Sequence, residues 1–169
     1  MKKILVGIFA IALLVSCQQN KIAFIDNSKL INEYNEKKAL EAKFKEKAQR
    51  FDKKTDSISK AFQLEAQAFD AASRKMTQKE AQAKYNELLQ KRQFFQQQLQ
   101  IEEQQLQAQG QKEMDSVVQK VKDFVKDFGE KNGYTYILGA NEGGSVLYGK
   151  TEQDITEEVL KALNEASKK

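Results

Sequence analysis

The chain has 169 residues, 31% of them charged, a formal net charge of +4, one cysteine, no histidine and no proline. A lone cysteine excludes an internal disulfide, and the lack of histidine removes the commonest acid–base group and metal ligand. No glycine-rich loop precedes a helix, and the carboxylates fall at ordinary i,i+4 spacing with lysines, so the chain reads as a non-enzyme with no cofactor, no metal and no catalytic residues.

The N-terminus begins with Lys2 and Lys3, and an unbroken apolar or small run follows over residues 4–15. That is the layout of a secretory signal. About a dozen apolar residues fall short of the roughly 20 that span a bilayer. Leu14-Val15-Ser16-Cys17 resembles the lipobox of bacterial lipoproteins, which implies cleavage after residue 16 and lipid on Cys17, with residues 17–20 as an anchored linker. Acyl chains on the first mature residue hold a protein at a membrane. Gln18, rather than aspartate, after Cys17 favours the outer membrane over the inner one. Loss of Lys2 and Lys3 takes the charge from +4 to +2.

KIAFID, at residues 21–26, is apolar on both alternating faces and reads as a short buried strand. From Ser28 the period changes to that of a helix. Phe44, Ala48, Phe51, Thr55, Ile58, Phe62, Glu65 and Phe69 follow alternating steps of four and three, as in a heptad seam. A second seam runs through Ala81, Tyr85, Leu88, Arg92, Phe95, Leu99, Glu102 and Leu106, and resumes at Val117, Val121, Phe124 and Phe128. Between the two, Thr77-Gln78-Lys79-Glu80 has the form of a capping box. The spacing predicts one helix over residues 28–72, a turn near 73–76, and a second helix over 78–131 ended by Asn132-Gly133. Helices of about 65 and 80 Å at 1.5 Å per residue are too long for the interior of a one-domain chain, so residues 28–131 are expected to project as a hairpin arm.

YTYIL (134–138) and SVLYG (145–149) flank the turn-rich GANEGG and predict a β-hairpin. Ile155, Val159, Leu163 and Ala166 then form the stripe of a last amphipathic helix. The predicted fold is α+β: a body from residues 21–27 and 132–169, with three short strands and a C-terminal helix, carrying a long inserted antiparallel helical hairpin. Such a body buries little surface and leaves open strand edges. The expectation is therefore a homo-oligomer joined through Ile22, Phe24, Tyr134, Tyr136, Leu138, Val146 and Tyr148.

Between residues 37 and 92 there are 15 basic and 8 acidic residues, a surplus of 7. Outside the cytoplasm such a segment meets acidic polypeptide, anionic lipid or lipopolysaccharide rather than nucleic acid. The candidate contacts for an acidic partner are Lys53, Lys54, Lys60, Arg74, Lys75, Lys79, Lys84, Lys91 and Arg92. The apolar candidates are Met76 at the tip, since methionine adapts to varied partners, with Phe94 and Phe95, which as neighbours on one helix cannot both enter a narrow seam. Phe62 and Phe69 are expected to pack inside the hairpin. Arg92, Glu65 and Glu102 interrupt the seams and predict loosely packed arms, with Gly110 as a flex point.

KIAFIDNSKLINEY, EKNGYTYIL and SVLYGKTEQDITEEVLKALN, flanking a long charged helical hairpin, together resemble the Skp/OmpH family of periplasmic chaperones over essentially the whole mature chain. The resemblance implies a homotrimer with a small barrel-like β body, whose arms enclose unfolded outer-membrane proteins without ATP and prevent their aggregation. Family members are typically soluble in the periplasm, whereas Cys17 points to a tether. The alternative is a structural coiled-coil lipoprotein that links a membrane to peptidoglycan or to another envelope protein.

Overall fold

A computed structural model describes residues 20–141 and 143–168; the expected signal, Cys17 and Gln18 lie outside them. The elements are β1 (Ile22–Asp26), α1 (Asn27–Glu33), α2 (Asn35–Ser73), α3 (Gln78–Lys131), β2 (Tyr136–Ala140), a 3-10 turn (Thr151–Gln153) and α4 (Thr156–Ala166). The described residues form two compact units: a body from those up to Asn35 and those from Val118 onward, and a helical hairpin, Glu36–Val117.

In the body, β1 pairs with β2 in parallel, with Ile22 opposite Tyr136 and Asp26 opposite Ala140. Alternation along β1 buries Ala23 and Ile25, at 2% and 3% exposure, and leaves Ile22 exposed on the opposite face with Tyr136 and Leu138. α1 and α4 pack against each other and against β1. Their apolar stripes supply Leu30, Val159, Leu160 and Leu163, all buried. Asp26 ends the strand and caps α1 by accepting the Lys29 N–H at 2.9 Å. The Asp26 N–H donates to the Thr156 hydroxyl oxygen at 2.9 Å, and Asp154 accepts the Thr156 N–H at 2.9 Å, which fixes the start of α4 beside β1.

Two sequence expectations change here. The single helix from residue 28 is broken at Tyr34, whose backbone is extended (φ −64, ψ 126). Burial of the Tyr34 side chain at 3% exposure accompanies the break, and the Asn35 N–H that opens α2 donates to the Asn164 side chain at 2.9 Å. Asn164 lies more than a hundred residues away, so nothing local announces that cap.

The predicted β-hairpin is also absent: residues 145–149 form no strand, and the body contains two strands among the described residues. A turn does form, with the Gly144 N–H donating to the Asn141 carbonyl at 3.0 Å. The chain beyond it leads over β1 instead of pairing with β2. Gly149 lies so close to the Phe24 ring that a Cβ there would sit 2.3 Å from Cε1. The Ile155 N–H then bonds the Phe24 carbonyl at 3.0 Å, next to a parallel bridge between Phe24 and Asp154. Both edges of β1 are thereby occupied.

α3 ends in a Schellman arrangement. The Tyr134 N–H donates to the Gly129 carbonyl at 2.9 Å, and Gly133 adopts φ +70, the left-handed conformation glycine tolerates. The Tyr134 ring stacks on Phe128, with Lys21 Nζ 3.9 Å from its centroid.

Candidate functional site

Within the hairpin unit, α2 and the N-terminal part of α3 run antiparallel. The turn follows Ser73, and a capping box opens α3: Glu80 accepts the Thr77 N–H at 2.9 Å and the Glu80 N–H donates to the Thr77 hydroxyl oxygen at 3.3 Å. Hydrogen bonds donated to it by the Thr77 N–H and, at 2.8 Å, by the Thr77 hydroxyl hold the Glu80 carboxyl below its ordinary range. Aromatic side chains pack across the seam, Phe62 against Phe95 at 5.7 Å edge-to-face and Phe69 against Tyr85 at 6.4 Å.

The polar bonds between the two helices fix their register. Lys43 donates to Glu113 at 2.8 Å and Lys47 to Gln109 at 2.9 Å; Lys54 pairs with Glu102, and Lys91 with Glu65. From Lys43 to Lys54 to Glu65 is eleven residues each time, matched by eleven back from Glu113 to Glu102 to Lys91. Eleven residues make just over three helical turns, so the three ion pairs recur on one edge of the hairpin. The Lys43 hydrogen bond, seconded by one from Gln109, also lowers the Glu113 carboxyl below its ordinary range.

Helix geometry explains why they share an edge. At 3.6 residues per turn, each residue is turned about 100° from the one before it. In antiparallel helices, the positions just before the seam residues on both strands of the hairpin therefore turn to the same side. Lys43, Lys47, Lys54, Lys91, Gln109 and Glu113 all hold such positions, before Phe44, Ala48, Thr55, Arg92, Gly110 and Met114. Leu64 and Phe94 share them too, and both stay exposed, at 66% and 56%.

The positions just after the seam turn to the opposite edge, and three grooves open there. One of about 280 Å³ is lined by Ile58, Phe62, Phe95 and Leu99 with Ser59 and Gln96 at its rim. The next, about 380 Å³, shares Phe62 and Arg92 with it and is rimmed by Gln63, Ala66, Asp70 and Leu89. The third, about 480 Å³, surrounds Phe44, Leu106 and Gly110, with Glu41, Gln107 and Gln111 at its rim. A fourth, about 300 Å³, lies by Lys43 and Glu113 on the ion-paired edge. The hairpin thus has one edge laced by charge pairs, with a single groove, and one edge along which three grooves reach its apolar seam.

The nine predicted basic contacts divide accordingly. Lys54 and Lys91 are engaged across the seam, Lys60 with Asp56 at 3.7 Å and Lys84 with Glu87 at 2.7 Å along their own helices. Arg92 borders two grooves. Lys53, Arg74, Lys75 and Lys79 form no ion pair with a described residue, and the last three surround the tip beside half-buried Met76. Glu65 and Glu102, which the sequence reads as loosening the seam, are filled by cross-helix ion pairs. Of the two adjacent phenylalanines, Phe95 packs on Phe62 and Phe94 faces solvent. Gly110 sits within an unbroken α3, a Cβ there lying 3.4 Å from the Phe44 ring.

Among the residues predicted to join copies, Ile22, Tyr136, Leu138 and Tyr148 are exposed, and Leu147, not predicted, is 92% exposed. Phe24, Tyr134 and Val146 are half-buried within the chain. No described helix is long and apolar enough to cross a membrane, and no described group of three or more histidine, cysteine, aspartate or glutamate side chains is placed to hold a metal ion.

A family model described as outer membrane protein (OmpH-like) matches residues 21–163. Among solved structures, the chain is similar to a Caulobacter crescentus protein described as OmpH-like. The TM-score is 0.77 and the identity 19%, over 89% of this chain and 88% of that one, a likeness of fold. No curated protein matches the chain.

Proposed function

The chain belongs to the OmpH-like outer membrane protein family, and we propose that it is an ATP-independent holdase that keeps unfolded outer-membrane proteins from aggregating in the periplasm. What carries the reading is the hairpin. Two helices cannot enclose a core, so its apolar seam stays reachable through grooves of about 280 to 480 Å³. A surface of that kind offers weak, distributed contacts rather than one selective pocket. The unpaired cations Arg74, Lys75 and Lys79 at the tip favour acidic clients by long-range attraction, and lipopolysaccharide or anionic lipid by the same charge.

The assembly in this reading is a trimer formed through the body. Ile22, Tyr136, Leu138, Leu147 and Tyr148 supply an apolar surface that a single chain leaves in water. Among the described residues β2 has an unpaired outer edge, and the strand-like 145–149 segment has no strand partner. Pairing with other copies satisfies both. Lipid on Cys17 then ties the trimer to a membrane, the outer one by Gln18, and the chain performs no catalysis.

The test uses the chain from Gln18, which keeps every element of both units. A urea-unfolded outer-membrane β-barrel protein is diluted into buffer with and without it, and light scattering is followed beside the oligomer mass. Suppressed aggregation near one oligomer per client without ATP, weakened by charge reversal at Arg74, Lys75 and Lys79, is the expected result. Undiminished aggregation in the presence of a folded oligomer would overturn the holdase and leave the envelope-tether reading.

A further inference from the structure

The two edges of the hairpin are chemically different, and three of the four grooves open on one of them. We propose that the open edge is a cradle for one β-strand's length of unfolded outer-membrane β-barrel protein, which lies along the groove line with its apolar side chains in the seam. The proposal rests on the holdase reading and says which surface of the arm performs it.

Length is the first argument. On α2 the lining of the row runs from Leu40 in the groove at one end to Asp70 in the groove at the other. They are 30 residues apart (70 − 40), about 45 Å at 1.5 Å per residue, long enough to hold a whole membrane-spanning strand. A membrane-spanning β-strand has about 9–11 residues, which at roughly 3.3 Å each cover about 30–36 Å. Such strands alternate apolar and polar side chains, so an extended segment presents one apolar row to the seam and turns its polar row to water.

Rim chemistry is the second. An unfolded strand has unpaired backbone N–H and C=O groups along both sides. Gln63, Gln96, Gln107 and Gln111 carry amides that both donate and accept, so they serve either backbone group at any register and read no sequence. The opposite edge lacks this capacity, because its lysines and glutamates are committed to one another across the seam. The ion-paired edge holds the helices in register while the open one admits the client.

The experiment exploits two features of the composition. The chain has no tryptophan, and from Gln18 onward it has no cysteine. The tryptophans of a urea-unfolded outer-membrane β-barrel protein thus report on the complex without background, and single cysteines carry a nitroxide quencher at chosen points. A label at Gln96→Cys, on the open edge, is expected to quench client tryptophan strongly, and one at Arg50→Cys, on the paired edge, weakly. Filling the grooves with Ala48→Phe, Ser59→Phe and Ala66→Phe should weaken client retention about tenfold, the scale of one lost buried apolar side chain, with the helical circular dichroism preserved. Equal or stronger quenching from Arg50→Cys overturns the cradle even if the filled variant fails to fold. Wild-type protein that suppresses aggregation in that case leaves the holdase standing; wild-type protein that captures no client overturns both.

Discussion

Replacing Gly110 by alanine should stabilise the hairpin, although the residue lies where the two helices are in contact. A Cβ built there meets three Phe44 ring carbons at 3.4, 3.6 and 3.8 Å, which is contact rather than collision. Gly110 is not among the glycines of positive φ, so alanine fits its backbone. Glycine within a helix costs about 0.8–1.0 kcal/mol relative to alanine. With an m-value of ~2 kcal/mol/M in urea, the unfolding midpoint followed by helical circular dichroism should rise by about 0.4–0.5 M. Gly110→Leu should reverse the sign, since a side chain that must displace Phe44 costs about 1–3 kcal/mol. A midpoint for the alanine variant that falls or does not move refutes the packing assigned to this contact. The same protein tests our proposal that Gly110 is a flex point: a firmer α3 should hold large clients less well, and unchanged retention would remove that role.

Gly139→Ala is expected to destabilise the body by about 1–3 kcal/mol, because its Cβ would fall 2.1 Å from Asn27 Nδ2; adding Asn27→Ala should restore most of the loss, as a double-mutant cycle would show. Removing the cap with Thr77→Ala should cost about 0.5–2 kcal/mol, read as a lower urea midpoint. Glu113, held below its ordinary value of 4.5 chiefly by the Lys43 hydrogen bond, contributes stability that is complete above pH 4.5 and disappears as pH falls through its lower folded value; carboxyl NMR titration of Lys43→Gln should show the Glu113 value rising. Leu147→Asp, at a site 92% exposed in the single chain, should leave the hairpin's helical signal intact yet lower the oligomer mass, and an unchanged mass would count against assembly through this surface.

The legible parts of this fold are those whose cause is local. KIAFID reads as a strand from its own alternation, Thr77 and Glu80 satisfy each other three residues apart, and the stripe of Val159 and Leu163 needs only helical periodicity. The illegible parts depend on distant residues. The break at Tyr34 is tied to Asn164, and the fate of SVLYG is settled by Gly149 fitting over Phe24, so turn chemistry at GANEGG alone predicts the wrong partner. For the candidate site, the seams were readable as apolar repeats, but the difference between the two edges lies in the positions beside them. Lysine before Phe44, Ala48 and Thr55, and glutamine after Phe62, Phe95 and Leu106, are the signals that reading for apolar residues alone passes over.

The parallel pairing of β1 with β2 makes the order of folding matter. Ile22 must find Tyr136, 114 residues further along (136 − 22), and a closure over that separation is slow as well as entropically costly. The hairpin depends only on nearer contacts and is free to zip from its turn. Once it has, Glu36 and Val117 line one groove, and the chain left to close is 14 residues before the hairpin (36 − 22) and 19 after it (136 − 117). Going from 114 to 33 residues lowers the closure cost by about 1 kcal/mol on the (3/2)RT ln n scaling. If the arm zips first, it lowers the cost of closing the body, and a substitution at Thr77, far from either strand in sequence, should then delay the pairing of β1 with β2.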